Sequence, residues 1–307
     1  MAGAPAIVLD RVTKRYRTGG GIGDVSLQVE RGEVFGFLGP NGSGKSTTIR
    51  LILDLLRPDA GSIEILGLDA RTDGVEARRR IGYLPGELNL YERLTGRDLL
   101  DHLASLRAPA AAQLADADIE PLAERLSLDL DRRIKELSRG NKQKVGLVQA
   151  LMGQPELVIL DEPTGGLDPL VQREVHVLID ELRIRGATVF LSSHVLSEVS
   201  LVADRVGILR DGELVATEAV ADLHARSVHR VEVRTAQPLP PDSFSAVPGV
   251  RVHDIDGTRC ELHLTGPVDP LIKALATVEV VDLVIGEPDL EETFLAYYET
   301  AREGDDA

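Results

Sequence analysis

Residues 39–47 read Gly-Pro-Asn-Gly-Ser-Gly-Lys-Ser-Thr, and no other stretch narrows the possible folds of this chain so far. The pattern G-x-x-x-x-G-K-[ST] needs a strand before it and a helix after it. Its glycines curl the backbone around an anion, and the helix N-terminus adds positive potential. Both flanks are present. Val34–Leu38 is a short apolar run of the kind buried in a parallel sheet, and Ile49, Ile52, Leu53 and Leu56 recur at helical spacing up to Pro58. The loop residues expected to bind nucleotide are Gly39, Asn41, Gly42, Ser43, Gly44, Lys45, Ser46 and Thr47. In this reading Lys45 reaches the β- and γ-phosphates, and the Ser46 hydroxyl is a ligand of Mg²⁺.

The 307 residues suffice for one large domain and a small one. A net charge of −16 opposes a phosphate backbone, and aromatics at 3% supply few stacking platforms, so nucleic acid is not an expected partner. Cys260 is the only cysteine, which rules out an internal disulfide and fits a reducing compartment. No apolar run approaches the roughly eighteen residues of a membrane span, and no charged-then-apolar leader opens the chain, so secretion is not expected.

Alternation of apolar strands with helical patterns predicts an α/β core around a largely parallel sheet. Residues 5–30 read as antiparallel strands around a Gly19-Gly20-Gly21 turn, residues 62–66 as a strand, and residues 94–135 as a helical stretch. Apolar strands follow at 157–160 and 188–192. Near Ala225 the character changes. Strands at 228–235, 250–255, 260–264 and 278–285, a hairpin at Asp256-Gly257, and helices at 268–276 and 290–298 describe a small α+β domain. The expected division is therefore a nucleotide-binding domain over 1–225, with a helical subdomain at about 90–140, and an accessory domain over 226–307.

The run Leu157-Val158-Ile159-Leu160 ends in Asp161 and Glu162. A buried strand delivers such acids to the sheet edge where ligands bind. Asp161 is expected to hold Mg²⁺ through its water shell and Glu162 to polarise an attacking water. Leu137-Ser138-Arg139-Gly140-Asn141-Lys142-Gln143 matches LSxGxxQ. With this motif the chain resembles the ATP-binding subunits of ABC transporters, whose fold is a P-loop NTPase with a helical subdomain. The resemblance implies that Ser138, Gly140 and Gln143 meet the ATP bound by a second ATP-binding subunit, and that Tyr16 stacks on adenine. It implies further that Asp168, in Gly166-Leu167-Asp168, lies on a loop that communicates across the dimer, and that His194, in Ser192-Ser193-His194, contacts the γ-phosphate. Lys45, Glu162 and His194 are the catalytic candidates.

Two positions depart from that family's pattern. Gly86 follows Gly82-Tyr83-Leu84-Pro85 where the family has a glutamine that touches Mg²⁺, and Arg139 replaces a glycine. Glu87 or a water is expected to serve as the missing oxygen ligand. Residues 81–94 and 193–199, and the ending that begins Glu287-Pro288-Asp289, are similar to the ABC-2 export group of drug- and antibiotic-resistance ATPases. The resemblance therefore implies a homodimer that hydrolyses Mg²⁺-ATP and drives a separate ABC-2-type permease at the cytoplasmic face of the membrane. An importer subunit, or a soluble ABC ATPase acting on ribosomes or DNA, is the alternative. For the small domain a regulatory or dimer-bracing role stands beside that of a packing appendage.

Overall fold

The computed structural model describes residues 4–106, 109–226, 228–240 and 242–288. The chain forms two compact units, Met1–Thr217 and Glu218–Ala307.

The first unit opens with β1 (Ile7–Arg15) and β2 (Gly21–Val29), paired antiparallel. β3 (Val34–Leu38) follows, buried at every residue. It leads through the glycine-rich loop into α1 (Lys45–Ile52). The helix stops well before Pro58, which corrects the sequence expectation. Asp54 turns left-handed at φ 54°, and the amides of Leu55 and Leu56 both fold back onto the Arg50 carbonyl. Leu53 is still buried and Leu56 still packs on the core, so the apolar spacing survives the end of the helix.

Next come β4 (Ala60–Ile65), β5 (Leu68–Asp69), α2 (Gly74–Arg79) and β6 (Ile81–Leu84). The helical stretch holds α3 (Gly96–Ser105) and α4 (Pro109–Arg125), followed by a short 3-10 turn, Ile134–Glu136. Thr95 starts α3 with a reciprocal cap: its side chain accepts from the Asp98 amide while Asp98 accepts from the Thr95 amide. The core then resumes with α5 (Arg139–Leu151), β7 (Leu157–Asp161), α6 (Pro169–Ile184), β8 (Thr188–Ser193), α7 (Leu196–Ser200), β9 (Arg205–Arg210) and β10 (Glu213–Ala219).

Two sheets result. One is antiparallel, in the order β2-β1-β4-β5. The other runs β10-β9-β3-β8-β7-β6, with β9, β3, β8, β7 and β6 parallel. β3 thus sits between strands that come far later in the chain. Phe35 and Phe37 of β3 pack on Phe190 of β8, with ring centroids 5.9 and 5.3 Å apart. Burial of one such side chain contributes about 1.5–3 kcal/mol.

The second unit contains α8 (Val220–Arg226), β11 (Val228–Thr235), β12 (Val250–Asp256), β13 (Arg259–Thr265), α9 (Asp269–Leu275) and β14 (Val280–Pro288). Its antiparallel sheet runs β12-β13-β11-β14 over a core that includes Val231, Val233, Phe244, Cys260, Leu262 and Leu271. The expected hairpin at Asp256-Gly257 joins β12 to β13. The helix expected at 290–298 lies outside the described residues. No helix among the described residues is long and apolar enough to cross a membrane.

Candidate nucleotide site

The site gathers at the ends of β3, β7 and β8. Gly42 and Gly44 take φ values of 84° and 111°, conformations open to glycine, and so wrap the loop that ends in Lys45. Lys45 is 6% exposed. Its Nζ donates to the Gly39 and Pro40 carbonyls at 2.6 and 3.1 Å and lies 3.9 Å from Glu162. Burial lowers its pKa, opposed by Glu162 and Asp161. The first turn of α1 holds no acid to offset the helix N-terminus. Among the described residues, Ser43 Oγ is the buried side-chain polar atom without a hydrogen-bond partner. A buried ammonium, an orphaned hydroxyl and an uncompensated helix N-terminus fit a phosphate group.

Beside the loop, Ser46 Oγ donates to Asp161 Oδ2 at 2.9 Å. The other carboxylate oxygen accepts from the Ser192 hydroxyl, a bond that the pairing of Asp161 with Ser192 across β7 and β8 places there. Ser192 was not among the expected residues, although it belongs to the quoted Ser-Ser-His run. A hydroxyl beside a buried carboxylate is a fitting donor set for Mg²⁺.

Glu162 stands one residue beyond β7 in the left-handed region, φ 52°. Its amide donates to the Ser192 carbonyl at 3.2 Å, and His194 Nδ1 lies 3.3 Å from its Oε1. The Glu162 amide stays tied to β8 while the left-handed turn brings its carboxylate between Lys45 and His194. The Tyr16 hydroxyl is 3.3 Å from Thr47 Oγ1, so the aromatic borders the phosphate loop.

The remaining expected residues lie elsewhere. Ser138 caps α5, accepting from the Asn141 amide at 3.2 Å, and its own hydroxyl proton is left to donate. Gly140 approaches the Gly166 carbonyl so closely that a Cβ there falls 2.7 Å from the oxygen. Gln143 is buried and spends its amide on the Glu162 and Pro163 carbonyls at 3.1 and 3.2 Å, which ties α5 to the loop after β7. Asp168 caps α6, accepting from the amides of Leu170 and Val171. Glu87 is exposed, and among the described residues no hydrogen bond or ion pair joins it to Ser46 or Asp161.

The strand, phosphate loop and helix, with a carboxylate pair at the end of a neighbouring strand, define a P-loop nucleoside triphosphatase. The ABC transporter family model matches residues 22–165. The daunorubicin resistance ATP-binding protein of Streptomyces coeruleorubidus is 35% identical over 94% of this chain and 95% of its own length. The bacitracin transport ATP-binding protein of Bacillus licheniformis is 38% identical over 66% of each chain. An uncharacterised ABC transporter ATP-binding protein of Synechocystis is 35% identical, and the match spans 62% of its length. A solved ATP-binding subunit of an ABC transporter superposes with a TM-score of 0.65 at 32% identity, over 71% of this chain and 92% of that one. The chain belongs to the ATP-binding proteins of ABC transporters and carries their ATPase domain.

Proposed function

We propose that this protein hydrolyses ATP to drive a separate ABC-2-type permease that exports a drug, antibiotic or lipid-like compound. Two copies of the chain work as a pair at the cytoplasmic face of the membrane. The reading is carried by Glu162, turned left-handed out of its strand to lie 3.9 Å from Lys45 and 3.3 Å from His194. Export is supported by the two relatives named for bacitracin transport and daunorubicin resistance.

In this reading Lys45, Ser43 and the loop amides hold the phosphates, and Tyr16 flanks the adenine. Ser46 and, through water, Asp161 would hold Mg²⁺, which would supply charge neutralisation at the phosphates. Glu162 orients the attacking water and accepts its proton, and His194 bridges Glu162 to the γ-phosphate. Ser138 and Gly140 face the ATP of the partner copy, so one chain provides two unlike halves of two composite sites. The ATP-binding domain takes in about residues 1–225 and the accessory domain 226–307.

The test is recovery of partners from membranes with tagged Glu162→Gln protein in Mg²⁺-ATP. Loss of the general base is expected to cut hydrolysis by about 100-fold or more while ATP still binds. A polytopic membrane protein is then expected to co-purify. Recovery of ribosomes or DNA factors without a membrane protein would overturn the proposal, and a co-purifying solute-binding protein would convert export into import.

A further inference from the structure

The loop that follows β7 opens at Glu162 and closes at Asp168, the cap of α6. Two turns share Thr164. The Gly165 amide donates to the Glu162 carbonyl, and the Leu167 amide donates to the Thr164 carbonyl, each at 3.2 Å. Thr164 is buried, and its hydroxyl donates to Glu198 Oε2 at 2.7 Å. Glu198 stands in the first turn of α7, the helix entered just after His194. The chain beyond β7 and the chain beyond β8 are thus tied at two places, Glu162 to His194 and Thr164 to Glu198. The two ties differ. The side chains of His194 and Glu162 are 51% and 36% exposed, open to a ligand. Thr164 is closed off, and its bond to Glu198 contains no group that the nucleotide is proposed to engage. An acid in a first turn ordinarily serves the helix dipole. This one also spends an oxygen on a hydroxyl 34 positions away.

Resting on the ATP-hydrolysis reading above, we infer that Glu198 is a positioning residue for Glu162, acting through Thr164. It fixes the turn that carries the Glu162 carboxylate relative to the segment that carries His194. When His194 engages the γ-phosphate, its contact with Glu162 is shared with the nucleotide. The Glu198–Thr164 bond is not, and it keeps the two side chains in register. Its loss displaces the general base while the phosphate loop keeps its hold on ATP, so the rate falls and the affinity stays.

The experiment compares full-length wild type with Thr164→Val, Glu198→Ala and Glu198→Gln, assayed well below every thermal midpoint. Steady-state hydrolysis gives kcat and KM, and hydrogen exchange on nucleotide-free protein reports on the amides of 163–168. Thr164→Val and Glu198→Ala are expected to lower kcat about tenfold with KM unchanged, and to speed exchange in the loop. Glu198→Gln keeps the acceptor oxygen and is expected to restore both readouts. Wild-type kcat in Thr164→Val overturns the inference. So does a Glu198→Gln protein as slow as Glu198→Ala, since the helix charge and not the bond would then matter. A rise in KM that matches the fall in kcat also overturns it, because the loop would then shape nucleotide binding as a whole. In each of these cases the nucleotide reading stands. Failure of wild type itself to bind and hydrolyse ATP would remove that reading and the inference with it.

Discussion

At the scale of single residues, Ser138 separates a structural duty from a functional one. As the cap of α5 it accepts one amide, and aspartate caps a helix about as well as serine. Ser138→Asp is therefore expected to leave the thermal midpoint nearly unchanged. It also replaces a hydroxyl donor with a negative charge at the place proposed to face the partner's phosphates. In a Glu162→Gln background, light scattering is expected to show that ATP still binds but no longer yields a dimer. The residues legible in the sequence were those whose neighbours are close along the chain: the loop at 39–47, and Asp161-Glu162 at the end of an apolar run. Ser192 was not singled out because its bond to Asp161 spans 31 positions and depends on the register of β7 against β8. Gln143 looked like a nucleotide contact, yet its amide is consumed by two carbonyls of the neighbouring loop. Only the fold brings those carbonyls near.

At the scale of elements, Arg125 ties the helical stretch to the core. Arg125 of α4 reaches Glu174 at 2.6 Å and Glu181 at 2.7 and 2.9 Å, both on α6. Asp118 of α4 also accepts from the Gly153 amide at 2.9 Å. Each partner of Arg125 is about a third or more exposed, so the global stability at stake is about 1 kcal/mol or less. Arg125→Ala is accordingly expected to change the melting temperature little but to speed amide exchange in α4. Hydrogen exchange read by mass spectrometry checks this. Arg125 holds the Glu181 carboxyl below its ordinary 4.5. A depressed carboxyl stabilises above its unfolded value and loses that contribution as acid protonates it, so wild-type α4 should loosen in the same way below pH 4.5. Strand existence was readable from apolar runs, and strand neighbours were not. The end of α1 was misread because Leu53 and Leu56 keep a helical period through a turn that is not helical.

At the scale of the whole molecule, the second unit has a core of its own. Residues 218–307 are expected to fold when expressed alone, with a cooperative melt by circular dichroism. Cys260 provides an internal reporter. Burial, and secondarily Asp254, push its thiol up to about 11, so at pH 8 it carries almost no thiolate. It should resist alkylation in the folded fragment and react once denaturant is added. Rapid labelling without denaturant would show that the core had not formed.

The position of β3 in its sheet has a consequence for how the protein is made. β3 is wholly apolar, yet its two hydrogen-bonding neighbours are β8 and β9. About 150 residues separate its end from the start of β8. At ribosomal rates of about 5–20 residues per second, that strand and the phosphate loop it carries wait roughly 8–30 s for their partners. Over that interval the phosphate loop is without the acids of β7 and the strand β8 that complete its site. The exposed Val-Phe-Gly-Phe-Leu segment is the place where a chaperone is most needed during synthesis.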